Sequence, residues 1–117
     1  MQFKKGRAVS IRSRKEIEKI IQESKKYRTN NFLLSVRRNN SEEMRYAIVI
    51  PKKKIKKAVP RSRLRRLLRE ALFTHRLKLK GNDILCLVIR PLDVKGLDFQ
   101  DVSRELNLVL DKIENSN

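Results

Sequence analysis

Apolar residues change their spacing several times along this chain, and each change marks an element. Ser13 followed three residues later by Glu16 reads as a capping box, and Ile17, Ile20 and Ile21 behind it form a helical apolar face that fades near Lys26-Tyr27. The spacing predicts a first helix of about fourteen residues. Asn30-Asn31 break it, and FLLSVRR then alternates, with Phe32, Leu34 and Val36 on one face and Leu33, Ser35 and Arg37 on the other. A turn at Asn39-Asn40-Ser41 leads into MRYAIVI, Met44 to Ile50, so an antiparallel hairpin is expected. Its second face, with Leu33, Ser35 and Arg37 beside Arg45, Ala47 and Val49, is mixed enough for something else to cover it partly.

Beyond Pro51 the helical period returns. Pro60 suits a first turn, and Leu64, Leu67, Leu68, Ala71, His75 and Leu79 share one side, with Ser62, Arg65, Arg66 and Arg69 across from them. Gly81-Asn82-Asp83 read as the C-cap, and ILCLVI, Ile84 to Ile89, is apolar throughout, as a strand buried on both faces would be. The strand–helix–strand run 44–50, 64–79, 84–89 predicts parallel pairing across the helix. After Pro91 and Gly96, Asp98 or Asp101 starts a last helix with Phe99, Val102, Leu106, Val109, Leu110 and Ile113 on one side. Residues 1–12 form a basic extension without period, expected to be partly mobile, and the tail 114–117 is expected to fray. The expectation is a single α+β domain over residues 1–117. It would be an α/β sandwich with a mixed sheet of three to four strands in the order α-β-β-(β)-α-β-α.

Charge decides what such a domain would bind. The 117 residues carry 30 Lys or Arg against 13 Asp or Glu, a net +17. Ten of the cations lie between Lys52 and Arg69 with no acid among them. A charge run is ordinarily a solvated face, but solubility requires neither this self-repulsion nor the preference for Arg, whose planar fork matches phosphate oxygens. Nucleic acid is the first partner implied and an anionic membrane the second. No apolar run approaches the ~18 residues of a membrane span, and no signal-like stretch opens the chain, so a cytoplasmic location is expected. A lone Cys86 excludes an internal disulfide and a Cys-rich zinc site, and it reads as an inert buried thiol. Three scattered glycines exclude a nucleotide-binding loop, and His75, within the apolar stripe, reads as packing or capping. Asp98 and Asp101 read as helix-start charges; the protein read alone does not look like a catalyst and calls for no cofactor or small-molecule substrate.

The stretch KKKIKKAVPRSRLRRLLREA resembles the signature of the bacterial ribonuclease P protein subunit, approximately K-[KR]-x-G-x-A-V-x-R-N-R-x-[KR]-R-x-x-R-E. Ala58, Val59, Arg61, Arg63, Arg66, Arg69 and Glu70 match directly, whereas Ser62 stands where the family has Asn and a lysine, Lys56 or Lys57, stands for its Gly. The resemblance implies a left-handed crossover, a sandwich shared with a domain of a ribosomal protein, and an active site with its Mg²⁺ on the RNA subunit. It implies two partners, the ribonuclease P RNA and precursor tRNA, whose 5′ leader the complex removes. Carried onto this sequence, the RNA-subunit side comprises Lys52, Lys53, Lys54, Lys56, Lys57, Arg61, Ser62, Arg63, Arg65, Arg66 and Arg69. The leader side comprises Ile17, Ile21, Ser35, Arg37 and Arg45, with Phe32 and Tyr46 as the nearest aromatic candidates, Phe32 counted with the leader set although both suit structural roles. Family members often carry rings at the positions of Ile17, Ile21 and Ser35; without them leader binding would lean on phosphates.

The alternative is a ribosomal or chaperone-like RNA binder with no role in tRNA processing. A DNA-binding helix–turn–helix is disfavoured because strand and basic loop, not a helix, precede the Arg-rich segment. Membrane-surface binding would need bulky apolar residues beside the basic face, and the leucines are committed to the core.

Overall fold

The computed structural model describes residues 8–116, with side chains through Ile113; residues 1–7 of the predicted basic extension and Asn117 lie outside the described residues. The elements are β1 (Ala8–Ser10), α1 (Arg14–Glu23), β2 (Lys25–Arg28), β3 (Phe32–Arg38), β4 (Met44–Val49), α2 (Ala58–Phe73), β5 (Asn82–Val88) and α3 (Phe99–Ser116).

One mixed sheet of five strands, in the order β1-β4-β5-β3-β2, replaces the three or four expected. β4 and β5 pair in parallel, as the strand–helix–strand run predicted. The predicted hairpin does not form: β5 inserts between β3 and β4, antiparallel to the first and parallel to the second. The reason is burial. β5 is the most continuously apolar strand, so the centre of the sheet is where both its faces are covered.

Two short edge strands arise where hydrophobic pattern gave no signal. Ala8–Ser10, inside the stretch expected to be mobile, pairs in parallel with Met44–Tyr46. α1 stops after ten residues because Ser24 turns extended, and Lys25–Arg28 then pairs antiparallel with β3. Only Tyr27 of β2 packs on the core, so the strand owes its existence to backbone pairing.

Phe32, Leu34, Val36, Met44, Ile48, Ile84, Cys86 and Val88 form the sheet's main core face, roofed by Leu64, Leu67, Leu68, Ala71 and Leu72 of α2 and by Val102, Leu106, Val109, Leu110 and Ile113 of α3. α1 lies on the opposite face, where Ile20 meets Ile11, Ala47 and Leu85. Glu105 of α3 accepts from the Thr29 hydroxyl at 2.5 Å, the Asn31 N–H at 2.7 Å and Asn31 Nδ2 at 2.8 Å, fixing the β2–β3 turn.

α2 begins at Ala58, with Pro60 inside its first turn, and ends at Phe73, before the predicted Leu79. Thr74 caps it by donating its hydroxyl to the Ala71 carbonyl at 2.7 Å; turns then carry the chain past Leu79, which remains buried. Gly81 does not cap this helix. At φ 81° its N–H donates to the Glu43 carbonyl and its own carbonyl accepts from Asn39, tying the start of β5 to the β3–β4 turn. α3 continues through Ser116, across most of the tail expected to fray.

Candidate nucleic-acid interface

The Arg-rich helix sorts its cations into two kinds. Arg61, Arg63 and Arg65 are anchors. Arg61 Nη1 donates to the Ile55 and Lys56 carbonyls at 3.0 and 2.6 Å, closing the lysine loop onto the helix. Arg63 Nη1 donates to the Val94 carbonyl at 2.6 Å, and Arg65 Nη1 to the Ile48 carbonyl at 2.7 Å, at the end of β4. Arg65 therefore does not simply point into solvent, as its place across from the leucines suggested.

Ser62, Arg66 and Arg69 are exposed, and neither Arg66 nor Arg69 has a partner among the described residues. Spacings of four and three place them on one stripe of α2. Lys52, Lys53, Lys56 and Lys57 are likewise exposed and Lys54 half-buried, in a loop held by Arg61 and by Pro51 carbonyl bonds to the Lys54 and Ile55 N–H groups. α2 has no acid in its first turn and no side-chain cap at Lys57, so its N-terminal dipole adds to the field of the lysines. The whole predicted RNA-subunit set is thereby gathered on α2 and its leading loop.

The α1 face is built differently. Cross-strand register sets Asp83 of β5 between Arg37 of β3 and Arg45 of β4. Asp83 is fully buried, with Oδ2 accepting from Arg37 Nε at 3.0 Å, Oδ1 from Asn39 Nδ2 at 3.0 Å, and Arg45 Nε 3.6 Å away. Arg37 also pairs with Glu23 at 3.0 Å and Arg45 with Glu16, both from α1. The hydrogen bond from Arg45 holds the Glu16 carboxyl below its ordinary range, and the same bond raises Arg45. Three carboxylates thus balance two guanidiniums, and the cluster fastens α1 to the sheet.

That arrangement separates the residues expected on the leader side. At about 100° per residue, Glu16 and Glu23 lie on one side of buried Ile20 and Ile17 and Ile21 on the other. The cleft expected for the leader would lie on the isoleucine side, where Ile21 is 48% exposed, Ile17 and Val49 pack beside the small core, and register aligns Leu33, Leu87 and Val49 across the sheet. Arg37 and Arg45 belong to the carboxylate side and Ser35 is buried. Phe32 lies on the opposite, core face at 1% exposure, with Tyr46 on that same side of the sheet. The sequence pattern does not single out Arg28, which register puts beside Leu33 on the α1 face, exposed and without a partner among the described residues. Only the β2–β3 pairing reveals it.

Other titratable groups are structural. His75 Nε2 lies 2.8 Å from Asn107 Oδ1, joining the end of α2 to α3. Burial pushes the Cys86 thiol up to about 12. Asp98 and Asp101 each accept the other's backbone N–H at 3.0 Å, a reciprocal cap for α3, and the bond from Asp101 N–H holds the Asp98 carboxyl below its ordinary range. Among the described residues no three of His, Cys, Asp and Glu gather at metal-binding distance. Asp83 already has guanidinium and amide partners, and Asp98 and Asp101 serve the helix start, so these carboxylates do not fit Mg²⁺. No described helix is long and apolar enough to cross a membrane.

Comparison with known proteins places the fold and the sequence in one family. The ribonuclease P protein component of Ureaplasma parvum is 31% identical over 107 residues, spanning 92% of this chain and 93% of that protein. That of Dictyoglomus turgidum is 31% identical over 104 residues, spanning 87% and 86%. The RNase P protein of Thermotoga maritima superposes with a TM-score of 0.79 at 28% identity, over 87% of this chain and 97% of that one. The sequence pattern of the family described as Ribonuclease P runs through residues 6–114, taking in the arginine stripe, the lysine loop and the α1 cleft alike; the chain belongs to the ribonuclease P protein family.

Proposed function

We propose that this chain, as the protein component of ribonuclease P, binds the ribonuclease P RNA through the exposed stripe of α2 and the lysine loop, and receives the 5′ leader of precursor tRNA in the α1 cleft. The observation that carries the reading is the division of labour on α2. Arg61, Arg63 and Arg65 order the backbone, leaving Ser62, Arg66, Arg69 and the lysines as a preformed cationic surface for a polyanion. In the cleft, Ile17, Ile21, Leu33 and Leu87 offer apolar contact and Arg28 a phosphate partner, with no aromatic ring on that face among the described residues. Leader binding there is therefore weaker in base stacking, which is worth ~1–3 kcal/mol per base.

Chemistry belongs to the RNA and its Mg²⁺ in this reading. The protein lowers the repulsion between two polyanions and holds the leader beside the cleavage site, so cleavage becomes possible at lower Mg²⁺. Each phosphate contact releases counterions, giving a log–log salt slope of roughly −0.7 per phosphate on single strands and −0.9 on duplexes. The test is cleavage of precursor tRNA by transcribed ribonuclease P RNA from the same source at limiting Mg²⁺, with and without the protein. Correct 5′ cleavage restored by this protein and not by an equally basic control supports the reading; no restoration, or a nearly flat salt dependence, overturns it.

A further inference from the structure

The protein's rings are concentrated away from the leader cleft. Of the five described aromatic residues, all but Phe73 belong to the main core or pack against it, and three, Tyr46, Phe73 and Phe99, also line one groove. The groove, of about 580 Å³, runs between the β1–β4 edge of the sheet, the second half of α2 and the start of α3. Tyr46 and Phe99 are half-buried along it, while Phe73 is 46% exposed. Arg69, Glu70 and Thr74 complete the rim with Ala8.

Phe73 is placed by the helix that carries the RNA-facing cations. Spacings of four, three and four put Ser62, Arg66, Arg69 and Phe73 on one stripe, so the ring continues the line of partnerless arginines. Arg76 lies over Phe73, 4.0 Å from its centroid, and is not part of the groove lining; that leaves ring surface for the groove. A polyanion lying along the stripe would thus pass from guanidiniums directly onto a ring.

We propose that this groove is a base-stacking site for one unpaired nucleotide of the ribonuclease P RNA, its base against Phe73 above Tyr46 and Phe99 and its phosphate on Arg69. The proposal rests on the functional reading above and adds to it a recognition element specific for a splayed-out base. Flat rings with an adjacent cation are the combination that single-stranded RNA binders use, because every base has a π-face and every nucleotide a phosphate. Glu70 repels phosphate from its own end of the groove and offers an acceptor to an amino edge, which orients the nucleotide.

The chain contains no tryptophan, so Phe73→Trp introduces a single reporter. The probe is ribonuclease P RNA transcribed from the same source. Expected are quenching of the Phe73→Trp emission as this RNA saturates the protein, and roughly 5- to 150-fold weaker binding by Phe73→Ala, the span of one lost stack. The ring carries no charge, so Phe73→Ala keeps the wild-type salt slope, whereas Arg69→Ala makes it shallower. Phe73→Leu, which retains apolar area without a ring, should bind nearly as weakly as Phe73→Ala. Unquenched emission, or wild-type affinity in Phe73→Ala or Phe73→Leu, overturns the groove assignment while leaving the function intact. So does self-association that Phe73→Ala abolishes, which would assign the groove to a second copy of the chain. A wild-type protein that neither binds this RNA nor restores cleavage removes both readings together.

Discussion

Replacing Asp83 with alanine tests the cluster that fastens α1. The carboxylate is fully buried and accepts one charge-assisted bond from Arg37 and one amide bond from Asn39, with Arg45 close enough to add attraction. Breaking a buried ion pair by removing one partner costs ~3–5 kcal/mol when the remaining charge has nothing else. Here both arginines keep a second carboxylate, and their side chains remain 19% and 25% exposed, so the loss is smaller, about 2–3 kcal/mol. At a urea slope of about 1.5 kcal/mol per molar, the midpoint falls by roughly 1–2 M. Asp83→Asn, which keeps the acceptor for Asn39 but not the charge, falls between alanine and wild type. Urea unfolding followed by circular dichroism measures both. An alanine variant within ~0.5 kcal/mol of wild type would refute the claim that this carboxylate organises the two arginines.

Three further outcomes follow from the same geometry. Arg65→Ala lowers stability by about 1 kcal/mol through its lost bond to the Ile48 carbonyl, whereas Arg66→Ala leaves the melting temperature unchanged and makes the salt slope of RNA binding shallower by about 0.7–0.9; the reverse pattern would show anchor and contact exchanged. Glu16, held below its ordinary value near 4.5, contributes stability above that value and loses it as pH falls through its folded pKa, so Glu16→Gln flattens the acid limb of a stability profile; identical limbs would discard the pair with Arg45. Cys86, its thiol raised to about 12, stays unlabelled by a disulfide reagent at about pH 8 except at the rate of unfolding, and labelling as fast as in urea would contradict its burial.

The sequence was most readable where local pattern and burial coincide. The Ser13 cap, the alternation of β3, the leucine stripe of α2 and the apolar face of α3 are each written in consecutive residues. β1 and β2 were not legible because three residues of mixed polarity and a run of Lys-Lys-Tyr-Arg become strands only when a neighbour offers hydrogen bonds. Alternation grouped Phe32 with Leu34 and Val36 correctly, but it does not say which face α1 covers, so it gave no ground for separating Phe32, the nearest aromatic candidate, from the leader side. Arg37 and Arg45 were visible as cations, while Asp83, which holds both, is their neighbour only once β5 is known to lie between them. On α2 the basic run was plain in the sequence. Its division into anchors and free groups depends on carbonyls of residues 48, 55, 56 and 94, which lie in other elements or in the loop.

The insertion of β5 between β3 and β4 also sets a schedule for the chain as it leaves the ribosome. β3 and β4 emerge first, joined by a short turn, with nothing local to keep them from zipping together in the wrong partnership. Their native neighbour is complete only when Val88 has emerged, and the wait spans the synthesis of the lysine loop and all of α2. The sheet must then accept its central strand last, a non-local closure of the kind that slows folding and leaves strand edges open to aggregation. For a chain of this charge the same interval exposes the basic helix to any nearby RNA, so a ribosome-rich surrounding is where its early folding takes place.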